Sequence, residues 1–120
     1  MSSERVHHVK QAIPIPVPGG KRIEELVGRV ATGTSEMSVA HMHAPPGWSE
    51  PAQTPRFAEA TAVVRGRLRV EVDGEERTVG AGEAILVPAG KSVRYGNPFA
   101  EECEYWAICV PAFSVELAGR

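Results

Sequence analysis

Apolar and polar residues alternate along this chain in short β-branched runs separated by glycine and proline, and no dozen residues carry a 3.6-residue apolar period. The clearest part runs from "ATAVVRGRLRVEVDGEERTVGAGEAILVPAG" into "KSVRYGNP". It predicts strands at 61–64, 67–72 and 77–79, with a turn at Gly66 and a hairpin at Asp73-Gly74. Further strands are expected at 84–87, 92–95 and 104–110. Upstream, "RIEELVGRV" has helix-forming glutamates, yet its alternation and that of "ATGTSEMSVAHM" are read as strands. "AIPIPVPGG" interleaves apolar residues with prolines that cannot donate to a ladder, so it should be an extended arm or an edge. Eight or nine short strands with turn signals between them define an all-β chain, a sandwich or barrel of jelly-roll type.

A length of 120 residues holds one compact core. The expected division is an arm with edge strands over 1–29, a β-barrel over 30–113 and a tail over 114–120. The formal charge of -2 is near neutral and the basic residues are scattered, which argues against a nucleic-acid surface or a polybasic membrane patch. A small-molecule ligand or a protein partner is expected instead. No run approaches the roughly 18 apolar residues of a membrane span, and "MSSERVHHVK" lacks the apolar centre of a signal peptide, so a cytoplasmic location is expected. Cys103 and Cys109 lie six apart in one strand, roughly 20 Å from each other, and should be free thiols.

The chemistry concentrates in "SVAHMHAPPGWSE". Residues two apart on a strand share a face, so His41 and His43 can present both imidazoles to one ion at about 2.0–2.1 Å. Equally, they can be polar walls of a cavity that takes an organic ligand without metal. His7 and His8 sit on the arm and are read as solvated.

"GEAILVPAG" followed by "KSVRYGN" resembles the second motif of the cupins: glycine, five residues, Pro-x-Gly, two residues, histidine, three residues, asparagine. Gly82, Pro88, Gly90 and Asn97 fall in place. The family's first motif is His-x-His, a few residues, a glutamate, six residues and a glycine, and His41, His43, Glu59 and Gly66 occur in that order. The chain is thus similar to small single-domain cupins of the RmlC-like jelly-roll superfamily, from about Val30 to Val110. Two departures stand out. Fifteen residues separate His43 from Glu59 where the family has three or four, so an inserted loop is expected, and Val93 occupies the third histidine's position.

The resemblance implies a double-stranded β-helix with a barrel-centred site on His41, His43 and Glu59. A divalent transition metal (Fe, Mn, Ni, Cu or Zn) held there would leave open positions. The place left by Val93 would go to water, substrate, Gln53 or Glu50. Glu59 is also a candidate general base. Tyr95 shares the face of Val93 and is a candidate general acid, donor or extra ligand. Trp48 and Phe57 either anchor the proline-rich loop as a lid over the barrel mouth or bury against the barrel wall, and they, Gln53 and Tyr105 are candidate ligand-binding residues. Which side of "CEYWAIC" faces inward stays open. A subset of small cupins shares the "PPGW" stretch and the ending "VPAFS" found here. Three readings follow: a metal-dependent enzyme (dioxygenase, isomerase or lyase type) acting on a small oxygenated or carbonyl substrate, a metal-free binder of a sugar or carboxylate, or a structural accessory protein with a vestigial site. A homodimer is expected under each.

Overall fold

The computed structural model describes residues 5–119. The outer ends of the expected arm (1–29) and tail (114–120), at 1–4 and 120, lie outside the described residues. Among the described residues, nine strands form two antiparallel sheets. In chain order they are β1 (Ile13–Ile15), β2 (Arg22–Val27), β3 (Ser38–Ala44), β4 (Ala58–Arg65), β5 (Arg67–Val72), β6 (Glu75–Gly80), β7 (Ala84–Val87), β8 (Val93–Gly96) and β9 (Cys103–Val110). A single helical turn, α1 (Val115–Ala118), follows, capped by Ser114 Oγ on the Leu117 N–H. The larger sheet has the order β1-β2-β3-β9-β4-β7, the smaller one β6-β5-β8.

The β5–β6 hairpin forms where Asp73-Gly74 demands it. Both residues have positive φ, 49° and 83°, which matches a two-residue loop to the strands' twist. Gly66 is required for a different reason. It has φ +80°, and a Cβ there would lie 2.5 Å from the Glu102 carbonyl oxygen.

The two sheets close on one core, in which Leu68 and Val70 of β5 are fully buried beside Val63, Val93 and Tyr105. Burying such an aliphatic side chain contributes about 1.5–3 kcal/mol. β9 alternates strictly, with Cys103, Tyr105, Ala107 and Cys109 all buried, which resolves the side left open by the sequence: these four face inward. Both cysteines are free thiols.

The stretch between β3 and β4 has the second of the two arrangements open to it, with Trp48 and Phe57 buried. It runs antiparallel along β8, with reciprocal bonds between Gln53 and Val93 (N to O 2.9 and 2.7 Å) and further ones from Asn97 N–H to the Trp48 carbonyl and from Gly90 N–H to the Pro55 carbonyl. Residues 47–55 thus act as a further strand of the smaller sheet. Their prolines and glycine keep the pairing irregular because proline removes a ladder donor.

Candidate functional site

The barrel interior encloses a cavity of about 50 Å³, room for a few waters. It opens into a vestibule of about 420 Å³. Lys21, Ile23, Glu50 and Gln53 line both and form the neck between them. Each wall follows from strand parity. β2 contributes Ile23 and Glu25, β3 Ser38, Ala40 and Met42, β9 Tyr105, Ala107 and Cys109, while Glu59 comes from β4 and Tyr95 from β8. Phe57 and Phe113 close the deep end, with ring centroids 5.9 Å apart. At the neck, the Lys21 ammonium lies 4.1 Å from the Trp48 ring centroid and 5.3 Å from that of Tyr105.

The interior is polar at chosen points. Glu25, only 4% exposed, accepts backbone N–H bonds from Val30 (2.9 Å) and Ala31 (2.8 Å), which pins the turn after β2. Among the described residues, the Tyr95 hydroxyl and Thr61 Oγ1 are the buried side-chain atoms that complete no hydrogen bond. Burial first, then the Glu59 charge, pushes the Tyr95 phenol far above its ordinary range, while the adjacent Thr61 hydroxyl pulls weakly the other way. Burial followed by Glu59 and Glu50 raises Tyr105 in the same sense. Both phenols therefore remain protonated and act as donors. Cys109 is raised by burial and Glu59, and Cys103 is pushed up to about 11 by burial.

Of the expected site residues, Gln53, Phe57, Glu59, Tyr95 and Tyr105 share the cavity lining, and Trp48 stands in the vestibule. His41 and His43 do not join them. Ser38, Ala40 and Met42 point into the barrel, so the alternate residues of β3 lie on the sheet's outer face. The expected triad of His41, His43 and Glu59 is accordingly split by the sheet. The carboxylate beside the imidazoles is Glu24, and ligand atoms of Glu24, His41 and His43 lie within 4.8 Å of one another, an arrangement that could hold a metal ion. His41 Nε2 is 2.7 Å from Glu104 Oε2 and His43 Nδ1 is 3.3 Å from Glu102 Oε1. The bond from His41 chiefly holds the Glu104 carboxyl below the usual carboxylate range.

The fifteen-residue gap now has a physical explanation. Counting back from Glu59 by three residues, the shorter of the family's two spacings, places the His-x-His positions at Gln53 and Pro55, and the third histidine's position is Val93. Gln53, Pro55 and Glu59 line the cavity, and a bridge sets the core residue Val93 directly opposite Gln53. Of the four positions, Glu59 and Gln53 carry a side-chain oxygen, whereas Pro55 and Val93 carry no ligand atom. This donor set, with no imidazole, does not fit the site of two histidines and a glutamate that the resemblance implies inside the barrel. Glu25, Lys21 and Ser38 were missed by the sequence reading, although the alternation of Ile23 with Glu25 in "RIEELV" carried the signal.

Two antiparallel sheets closed on one core define a jelly-roll barrel. Residues 40–111 match the cupin domain family, and the chain belongs to it. It is 53% identical over 104 residues to a protein of Myxococcus xanthus named endoribonuclease YbeY; the match takes in 87% of this chain and only 35% of that protein, so the chain spans about a third of this relative's length. Among solved structures, an RmlC-like cupin from Shewanella frigidimarina superposes with TM-score 0.73 at 20% identity, covering 86% of each chain. The ethanolamine utilization protein Q of Salmonella typhimurium superposes with TM-score 0.65 at 25% identity, over 80% of this chain and 73% of that one.

Proposed function

We propose that the chain is a binding cupin whose barrel cavity and adjoining vestibule together take a small hydroxylated compound of sugar type through hydrogen bonds alone. The observation that carries this reading is the Tyr95 hydroxyl, which is buried beside the Thr61 hydroxyl without a completed hydrogen bond, on a residue that lines a cavity with a mouth. A buried donor left unmade costs free energy that a ligand acceptor would recover. Tyr95 and Tyr105 supply donors, while Glu59, Glu50 and Gln53 supply acceptors. A compound whose hydroxyls both donate and accept satisfies the two sets together. A free carboxylate fits less well, because Glu25, Glu50 and Glu59 outnumber the single ammonium of Lys21 around the space.

The test is a thermal-shift and calorimetric screen of monosaccharides, short polyols, small acids and amines. A hydroxylated compound should raise the melting temperature with the concentration dependence of one site, and Glu59→Gln should abolish the shift. Stabilisation by acids alone, or by nothing in the screen, would overturn the reading.

A second reading, an accessory module working beside a catalytic domain, is favoured by the 53% identity of this chain to about a third of a protein named an endoribonuclease. Under it, this chain alone leaves structured RNA intact. Cleavage by the chain that survives repurification would refute it.

A further inference from the structure

The outer face of the larger sheet carries a second constellation that the barrel reading does not use. We infer that Glu24, His41 and His43 form a surface site for a borderline divalent transition metal, with zinc the ion of first choice. His41 and His43 are two apart on β3, and Glu24 is the in-register partner of His41 on β2. Strand pairing therefore places the three side chains side by side on one face before any loop is ordered.

The distances suit a shared ion better than a direct bond. His41 Nδ1 lies 3.7 Å from Glu24 Oε1, too far for a hydrogen bond. Two ligand atoms each about 2.1 Å from a tetrahedral ion stand roughly 3.4 Å apart, so a small rotation of the Glu24 side chain closes the pair onto a metal. Two imidazoles and a carboxylate are the N/O donors that zinc, cobalt and nickel accept.

The surroundings are those of oriented ligands. Each imidazole has one ring nitrogen against a carboxylate other than Glu24, His41 Nε2 on Glu104 and His43 Nδ1 on Glu102. Such bonds fix ring orientation and raise the basicity of the second nitrogen. Arg65 approaches Glu102 (3.3 Å) and Glu104 (3.8 Å) and holds this outer pair in place. The Trp106 ring, 4.6 Å from that of His41, and the His41–His43 edge contact at 4.7 Å restrict both imidazoles further. His43 is paired across β2 with exposed Arg22, so three carboxylates face two guanidinium groups and the local field remains negative.

The site is open to solvent on one side, since the Glu24 side chain is 38% exposed against 20% for His41. Water or a carboxylate from a partner would complete the ion's coordination.

The inference is tested by titrating chelator-stripped protein with zinc sulfate in a calorimeter, and with cobalt(II) by visible absorption. One saturable site is expected, with a cobalt spectrum of low coordination symmetry. His41→Gln and Glu24→Gln should each weaken zinc by at least about 100-fold, and Glu104→Gln by about 10–100-fold. Glu24→Gln is close to isosteric and half exposed, so it keeps the proposal testable if a histidine variant folds poorly. Glu59→Gln should leave zinc affinity unchanged. Absence of saturable uptake, or parental affinity in Glu24→Gln and His41→Gln, would overturn the inference. Loss of zinc in Glu59→Gln with retention in Glu24→Gln would place the ion in the barrel, overturning both this site and the metal-free reading of the cavity. Loss confined to Glu24→Gln and His41→Gln would leave that reading intact.

Discussion

Tyr95→Phe should change stability and binding in opposite directions. In the wild type the phenol hydroxyl is buried without a completed hydrogen bond, and such a group costs about 1–3 kcal/mol of desolvation. Phenylalanine keeps the ring, which is 6% exposed in the core, and removes only the oxygen. A gain of about 1 kcal/mol, the lower end of that range, is the expectation, since the neighbouring Thr61 hydroxyl offers the phenol some compensation. For 120 residues at about 2.1 cal/mol/K each, the unfolding entropy is about 0.25 kcal/mol/K, so the melting temperature should rise by about 4 °C. The same oxygen is the donor proposed for the ligand. Its loss removes one neutral hydrogen bond of about 0.5–1.5 kcal/mol, a drop in affinity of about 2- to 13-fold. Calorimetric melting and titration with the best hydroxylated binder measure both effects. A lowered melting temperature would mean that the hydroxyl is satisfied inside the protein. Unchanged affinity would remove Tyr95 from the ligand contacts, and the principal support for the binding reading with it.

Three more outcomes follow from the same geometry. Gln53→His with Val93→His should create, with Glu59, a barrel site of two imidazoles and a carboxylate; equilibrium dialysis should find a nickel or zinc equivalent that either single variant lacks, measured in a Glu24→Gln background that silences the outer face. Gly66→Ala should destabilise by more than about 2 kcal/mol in urea denaturation, because the new Cβ meets a backbone carbonyl at 2.5 Å and the residue keeps φ +80°; a loss under about 1 kcal/mol would show that the β4–β5 turn yields. Neither cysteine should react quickly with a disulfide reagent at pH 8, since Cys103 is pushed up to about 11 and Cys109 is raised by burial and Glu59. Two equivalents should appear on denaturation, and a fast native equivalent would contradict the burial of both thiols.

The strand order along the chain was legible because β-branched alternation and turn residues agree with each other from β4 to β9. Asp73-Gly74 shows why: its two positive φ angles are needed for the hairpin, so the sequence signal and the backbone requirement coincide. The segment at 47–55 was not legible as a strand, because Pro51 and Pro55 erase the alternation, although Gln53 pairs with Val93 of β8. The inward direction of β9 was equally hidden. Its two faces, Cys-Tyr-Ala-Cys and Glu-Trp-Ile, are both apolar enough to bury, and the choice depends on the partners β3 and β4, which the sequence does not name.

The placing of the site turned on the same question of parity. On β3, one face reads Ser38, Ala40, Met42 and Ala44 and the other Val39, His41 and His43, and neither face is plainly the core face by hydrophobicity. A His-x-His pair therefore draws attention on composition alone. What does discriminate is distance along the chain to the carboxylate it must meet. Three residues before Glu59 lead back to Pro55 and Gln53, and only that count makes the third position, Val93, fall directly across a sheet from one of them. Fifteen residues would require a loop to return His43 to Glu59 on the same face, whereas the intervening chain is used as barrel wall and β9 lies between β3 and β4. The imidazoles are thereby left on the outside with Glu24, and the barrel keeps Glu25, Glu50 and Glu59, the Gln53 amide and two protonated phenols. The two faces of one sheet thus carry separate chemistries, hydrogen bonding within and metal-ligand donors without, and variants of Glu59 and Glu24 should separate them.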